Sequence, residues 1–160
     1  MISHTLESPN ITSRGSSSTA LFVNEQADAQ RRSLQEPFSY GLRRDASFNE
    51  LLEALEECGQ AGWDGGSAAP VTDATYLTAW MFIEALPANM PDPSIGVDPD
   101  GEITFEWHRS ANRTVSVSIG SDHVLNFAAL LGGRRYHGSE PFFGEVPSTI
   151  VQHVLDVYSD

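Results

Sequence analysis

Apolar residues recur at two periods along this chain, helical first and strand-like afterwards. From Ser47 the spacing is helical, with Phe48, Leu51, Leu52 and Leu55 on one stripe. Ser47-Phe48-Asn49-Glu50 reads as a capping box, in which the serine caps the first turn and Glu50 reaches back to it. Gly59 and Gly62 end this element. A second helix is predicted from Thr72 or Asp73, both good N-caps, to Leu86, where Pro87 stops it. Tyr76, Leu77, Trp80, Met81 and Ile83 leave it apolar around much of its circumference, so it is expected to be the central, best-buried helix.

After the extended connector Ala88–Pro93 the period changes to two. Ile95 and Val97, then Ile103, Phe105 and Trp107, then Val115, Val117 and Ile119, then Leu125, Phe127 and Ala129 are apolar, and all are odd-numbered. Directly opposed residues share a face, so paired numbers must sum to an even value and each hairpin loop must hold an odd number of residues. Pro99-Asp100-Gly101 suits a three-residue loop with Gly101 in the left-handed position. Ser110-Ala111-Asn112 and Gly120-Ser121-Asp122 fit in length. The expectation is a four-stranded antiparallel meander, with Arg134–His137 as a fifth strand. A last helix opens at Val146-Pro147, with Ile150, Val151, Val154, Leu155 and Tyr158 as its apolar stripe. Three helices on one face of such a sheet make an α+β fold.

Residues 1–44 are polar, as in Arg14-Gly15-Ser16-Ser17-Ser18-Thr19, and read as a flexible N-terminal arm. A short helix within 19–33 and a single α+β domain over 45–160 complete the expected organisation.

Charge narrows the function classes. The formal net charge of −13 argues against nucleic acid or an anionic membrane as direct partner and favours a basic protein. Cys58 is the one cysteine, which excludes a disulfide-stapled scaffold. The N-terminus lacks a basic start followed by an apolar core, and no run approaches the roughly 18 apolar residues of a membrane span. A cytoplasmic protein is expected.

The same parity places Thr104, Glu106 and His108 on the outer sheet face, opposite Ser118, Ser116 and Thr114. Arg134-Arg135-Tyr136-His137-Gly138-Ser139-Glu140 adds a second His/Glu set. If the last strand lay near the second, Glu106, His108, His137 and Glu140 would converge. Two histidines and a carboxylate, such as His108, His137 and Glu106, suffice for a divalent metal, and a His–Glu pair for acid–base work. That alternative makes the chain a metal-dependent hydrolase or nuclease. The first reading assigns no catalytic residue, metal or cofactor, because neither HExxH nor G-x-S-x-G occurs. Cys58, beside Glu56 and Glu57, lacks the positive surroundings of a reactive thiol.

Gly62-Trp63-Asp64-Gly65-Gly66-Ser67-Ala68-Ala69-Pro70 follows a helix, has no lysine and lacks phosphate-loop spacing. Trp63 is therefore read as a structural plug whose N–H finds a backbone acceptor, with Asp64 turning the chain and Pro70 preceding the helix. Trp80, Trp107 and Gly101 are likewise structural. Glu53, Glu56, Glu57 and Glu84 offer an acidic docking surface, and Arg134 and Arg135 beside Gly132-Gly133 an anion-binding one.

The 62–70 loop, Asp100-Gly101-Glu102 leading to Glu106-Trp107, Gly133, and Tyr136-His137-Gly138-Ser139-Glu140-Pro141-Phe142 together resemble a group of small bacterial proteins. That group has a W-D-G-x-G-A-x-P loop and a C-terminal H-G-x-E-P-F segment. The resemblance spans about residues 60–158, and Ser67 stands where the group's loop has its second glycine. It implies a bacterial or phage origin and a single domain, and no catalytic residue. The function expected is a small acidic protein-binding module, of the antitoxin, immunity or phage-inhibitor type. A structural subunit that self-associates through its sheet is a further alternative.

Overall fold

The computed structural model describes residues 44–159, so the arm before Arg44 and the helix expected within 19–33 lie outside the described residues. Helix α1 covers 44–58, α2 Asp73–Ala85 and α3 Ser148–Tyr158. Strands β1 (Ser94–Val97), β2 (Ile103–Ser110), β3 (Arg113–Ile119), β4 (Val124–Leu131) and β5 (Arg134–Pro141) form one antiparallel meander in chain order. The predicted α+β class and period-two sheet are both present. Ile103, Phe105, Trp107, Val115, Val117, Ile119, Leu125 and Ala129, all odd, are buried beneath the helices. Phe82 of α2 carries the layer contact, its ring centroid 4.9 Å from Phe105 and 5.8 Å from Phe142.

The first three hairpins keep the predicted parity but not every turn. Val97 pairs with Ile103, and Gly101 takes the left-handed position at φ 84°. Thr104, Glu106 and His108 oppose Ser118, Ser116 and Thr114. The next turn is tighter than expected: Ser110 pairs with Arg113, and the ladder shifts between His108 and Ser110. The extra residue, Arg109, is thereby bulged toward α3. Arg109 donates to the carbonyls of Tyr158 and Ser159 (2.8 and 3.2 Å), and Arg113 to those of Asp156 and Ser159 (2.8 and 2.6 Å). A helix leaves its last carbonyls without partners, and α3 has no basic residue in its own last turn, so two sheet arginines supply the charge. In the β3–β4 hairpin Ile119 pairs with Leu125, and the left-handed residue is His123 at φ 59°. The loop is therefore Ser121-Asp122-His123, with the left-handed residue last, where a three-residue loop requires it.

The helices depart further from expectation. Residues 44–58 are already helical at Arg44, so Ser47 is an interior, buried residue and not the N-cap. Arg44 donates to the carbonyls of Glu84 and Leu86 at the end of α2. Phe48 stacks on Trp80 with centroids 4.0 Å apart. Helix α2 buries Thr75, Thr78, Ala79, Phe82 and Ile83 and leaves Leu77 59% and Met81 40% exposed. The buried threonines satisfy their hydroxyls within the helix region, Thr78 on the Ala74 carbonyl at 2.9 Å and Thr75 with the Thr72 hydroxyl at 3.0 Å. The best-buried face thus mixes Phe82 and Ile83 with small and hydroxyl residues, and Leu77 and Met81 fall outside it. In α3 the stripe is Ile150, Val154 and Val157, with Leu155 and Tyr158 partly exposed.

Gly62-to-Pro70 closes on itself and docks on the first hairpin. The Trp63 indole donates to the Ala69 carbonyl at 2.9 Å. Asp64 accepts from the amides of Gly66 and Ala68 at 2.8 and 3.2 Å, and the Ala69 amide donates to the Pro99 carbonyl at 2.8 Å. A Cβ on Gly101 would stand 2.7 Å from the Pro70 carbonyl oxygen, so the loop and the turn fit only with glycine there.

Candidate functional site on the outer sheet face

The last hairpin decides what the outer face carries. Gly132 and Gly133 both have positive φ, 59° and 90°, and connect β4 to β5 as a two-residue turn. An even loop reverses the parity: Leu125 pairs with Glu140, Phe127 with Gly138, Ala128 with His137. Arg135, His137 and Ser139 therefore point outward, whereas Glu140 lies on the helix side.

Three rows cross the outer face in register. His108, Thr114, Leu130 and Arg135 form one; Glu106, Ser116, Ala128 and His137 the next; Thr104, Ser118, Asn126 and Ser139 the third. Small side chains fill the centre, and Thr114, Ser116, Ala128, Leu130, Arg135 and His137 border an open trough of about 450 Å³. The His108 ring nitrogen Nδ1 lies 2.8 Å from the Thr114 hydroxyl, and the Ser139 hydroxyl donates to Asn126 Oδ1 at 2.7 Å.

This order corrects the metal arrangement. Strand β5 is at the far edge from β2, separated by β3 and β4. Glu106 and His137 share a row but stand three strand spacings apart, about 14 Å, and Glu140 faces the other way. Glu106, His108, His137 and Glu140 do not converge, and among the described residues no group of three or more His, Cys, Asp or Glu is placed to hold a metal ion.

At the turn end of the same face the carboxylates gather. Asp98 accepts from the hydroxyls of Thr104 and Ser118, and Asp100 and Asp122 each accept a backbone amide at 3.1 Å. Burial, and then repulsion from Asp100, Asp122 and Asp98, raises the Glu102 carboxyl above its ordinary 4.5. Strands alternate in direction along a meander, so its first and third hairpin turns lie at one end, and the sequence held the signal for this cluster. The folded chain holds the Glu102 proton more tightly than the unfolded chain does. Stability therefore falls as pH rises from the ordinary carboxylate range through the raised value. Glu102→Gln is expected to raise the thermal midpoint at about pH 7 and to leave it unchanged at about pH 3, where both states are protonated. Equal shifts at both pH values would contradict this.

The remaining candidates scatter. Glu53, Glu56 and Glu57 are exposed on the second half of α1, while Glu84 lies near Arg44 at that helix's other end. Arg134 and Arg135 are exposed on β5 and separate, one on each face of the sheet. Cys58 is buried, and desolvation followed by the Glu57 charge pushes its thiol up. Trp107 is fully buried, its indole donating to the Pro91 carbonyl at 2.7 Å. Sequence reasoning missed Phe142, buried where β5 leaves the sheet, and His153, whose ring lies 4.8 Å from Tyr136 and 5.8 Å from Phe127. No helix among the described residues is long and apolar enough to cross a membrane. No family model, curated protein or solved structure matches this chain.

Proposed function

We propose that the chain is a protein-binding module that takes a basic partner across the open outer face of its sheet, in the manner of an antitoxin, immunity protein or inhibitor. The observation that carries this reading is the outer face itself. Its centre is lined by small side chains and an open trough, and at its turn end Asp98, Asp100, Glu102 and Asp122 gather, with Ala69, Pro70 and Thr72 bordering the same hollow from the helix side. Strands of up to eight residues, about 26 Å long, in a sheet about 19 Å across give a platform of about 500 Å², the size of a small, transient interface. The trough accepts an anchoring side chain, and the acidic end, with a net charge of −13 behind it, attracts and orients basic groups. A cytoplasmic setting and kinship with the small bacterial proteins that share the W-D-G and H-G-x-E-P-F segments belong to the same proposal.

The test is capture by the tagged full chain. Ala128 is exposed at the trough, between Ser116 and His137, so Ala128→Arg fills the trough without touching the core. It is expected to weaken binding of the captured basic protein about tenfold or more, whereas Glu53→Arg with Glu57→Arg leaves it within about threefold. Loss in the helix variant with retention in Ala128→Arg would overturn the proposal.

A further inference from the structure

The sheet ends in two unlike edges. Strand β1 has four residues, whereas β5 has eight, and among the described residues no strand pairs with the outer edge of β5. The Phe142 amide donates to the His123 carbonyl at 2.8 Å, and the two-residue turn is closed by Leu131 and Arg134. Both place the even residues of β5 in the hydrogen-bonded pairs with β4, since such pairs alternate along an antiparallel ladder. The amides and carbonyls of Arg135, His137 and Ser139 therefore point out from the free edge. Pro141, which has no N–H to leave unpaired, comes next in that series.

We propose that β5 is a homodimerisation strand, two copies pairing edge to edge and antiparallel about a two-fold axis at His137, so that one sheet runs through both. This pairing stands apart from the partner-binding reading and is measurable without any partner. The register follows from the residues. Faces must match across the junction, so a one-residue slip is excluded. Centring on His137 sets Arg135 opposite the second copy's Ser139 and His137 opposite itself, and every one of these pairs exchanges two backbone hydrogen bonds. On the helix side it sets Arg134 opposite Glu140, twice by symmetry, which makes the edge self-complementary in charge. Moving the axis one residue toward the turn puts Arg134 opposite Gly138 and Arg135 opposite His137. Moving it the other way puts Arg134 opposite Phe142, beyond the strand. Neither alternative pairs the charges. Charges and proline on an edge strand ordinarily discourage such pairing, but here opposite charges occupy the two ends, and Pro141 falls outside the segment that must donate.

Within one chain Arg134 and Glu140 are six residues apart along one strand, about 20 Å, so a charge swap reads only the contact between copies. Sedimentation equilibrium of the full chain is expected to give twice the chain mass at micromolar concentration. Arg134→Glu is expected to raise the dimer dissociation constant about tenfold or more, and Arg134→Glu with Glu140→Arg to restore it to within about threefold. Ser139→Pro, which removes an edge-facing donor, is expected to give a folded monomer by circular dichroism. A wild-type monomer at about 1 mM, a dimer indifferent to Arg134→Glu, or a swap that fails to restore association would overturn the proposal.

Discussion

Trp107→Ala is expected to destabilise the fold by about 4 kcal/mol, measured by equilibrium urea unfolding. The indole is fully buried at the middle of β2, paired with Val115. Truncation removes most of the apolar bulk at that point and leaves a cavity beneath the helices. It also takes the donor from the Pro91 carbonyl, which fixes the connector as it enters β1. Trp107→Phe keeps most of the volume and loses the hydrogen bond, so about 1–2 kcal/mol is expected. A loss below about 1 kcal/mol in the alanine variant would mean that the sheet and helices meet elsewhere.

Gly101→Ala is expected to cost about 2–3 kcal/mol, more than its chemistry suggests. At φ 84° any side chain is strained by about 1–2 kcal/mol. The added Cβ would also stand 2.7 Å from the Pro70 oxygen and 3.4 Å from that of Ala69, forcing the Trp63 loop off the β1–β2 turn. Gly65 provides the internal control, because its φ is 80° and nothing stands within 4 Å of the position its Cβ would take. Gly65→Ala should pay only the conformational cost, about 1 kcal/mol. Equal losses at the two sites would show that the loop does not depend on its contact with the turn.

Much of this architecture was legible because one constraint, the period of two, acts on every strand at once. Odd apolar residues fixed which face is buried, and parity with turn length fixed the register of β2 on β3 from Ile103 to His108. Turn details were not legible in the same way. The bulge at Arg109 accompanies that side chain's contacts with the end of α3, a tertiary arrangement that no local pattern announces. The burial of α2 misled for a related reason: Tyr76, Leu77 and Met81 suggested an all-round apolar helix, but packing buries Thr75, Thr78 and Ala79 with Phe82 and Ile83 and leaves Leu77 and Met81 exposed.

For the site, the outer face was legible and so was the presence of a fifth strand, expected over Arg134–His137 and found over Arg134–Pro141, but not that strand's parity. Gly132-Gly133 carried the needed signal, since a pair of glycines between two runs marks a two-residue turn. Applied there, the parity rule reverses, bringing His137 and Ser139 to the outer face and sending Glu140 to the other. The imagined cluster of Glu106, His108, His137 and Glu140 depended on β5 lying beside β2, and a meander in chain order keeps those strands apart.

The central claim, that the open face of the sheet holds the partner, is tested most directly by modifying histidines with diethyl pyrocarbonate, with and without the captured protein, and reading each site by mass spectrometry. His108 and His137 are exposed on the outer face, while the ring of His153 is held between Phe127 and Tyr136 on the helix side. In the free chain His108 and His137 should react readily, and in the complex both should be protected about tenfold or more while His153, on the helix side, changes little. Unchanged reactivity of His108 and His137 in a saturated complex would contradict the claim and move recognition to the helices.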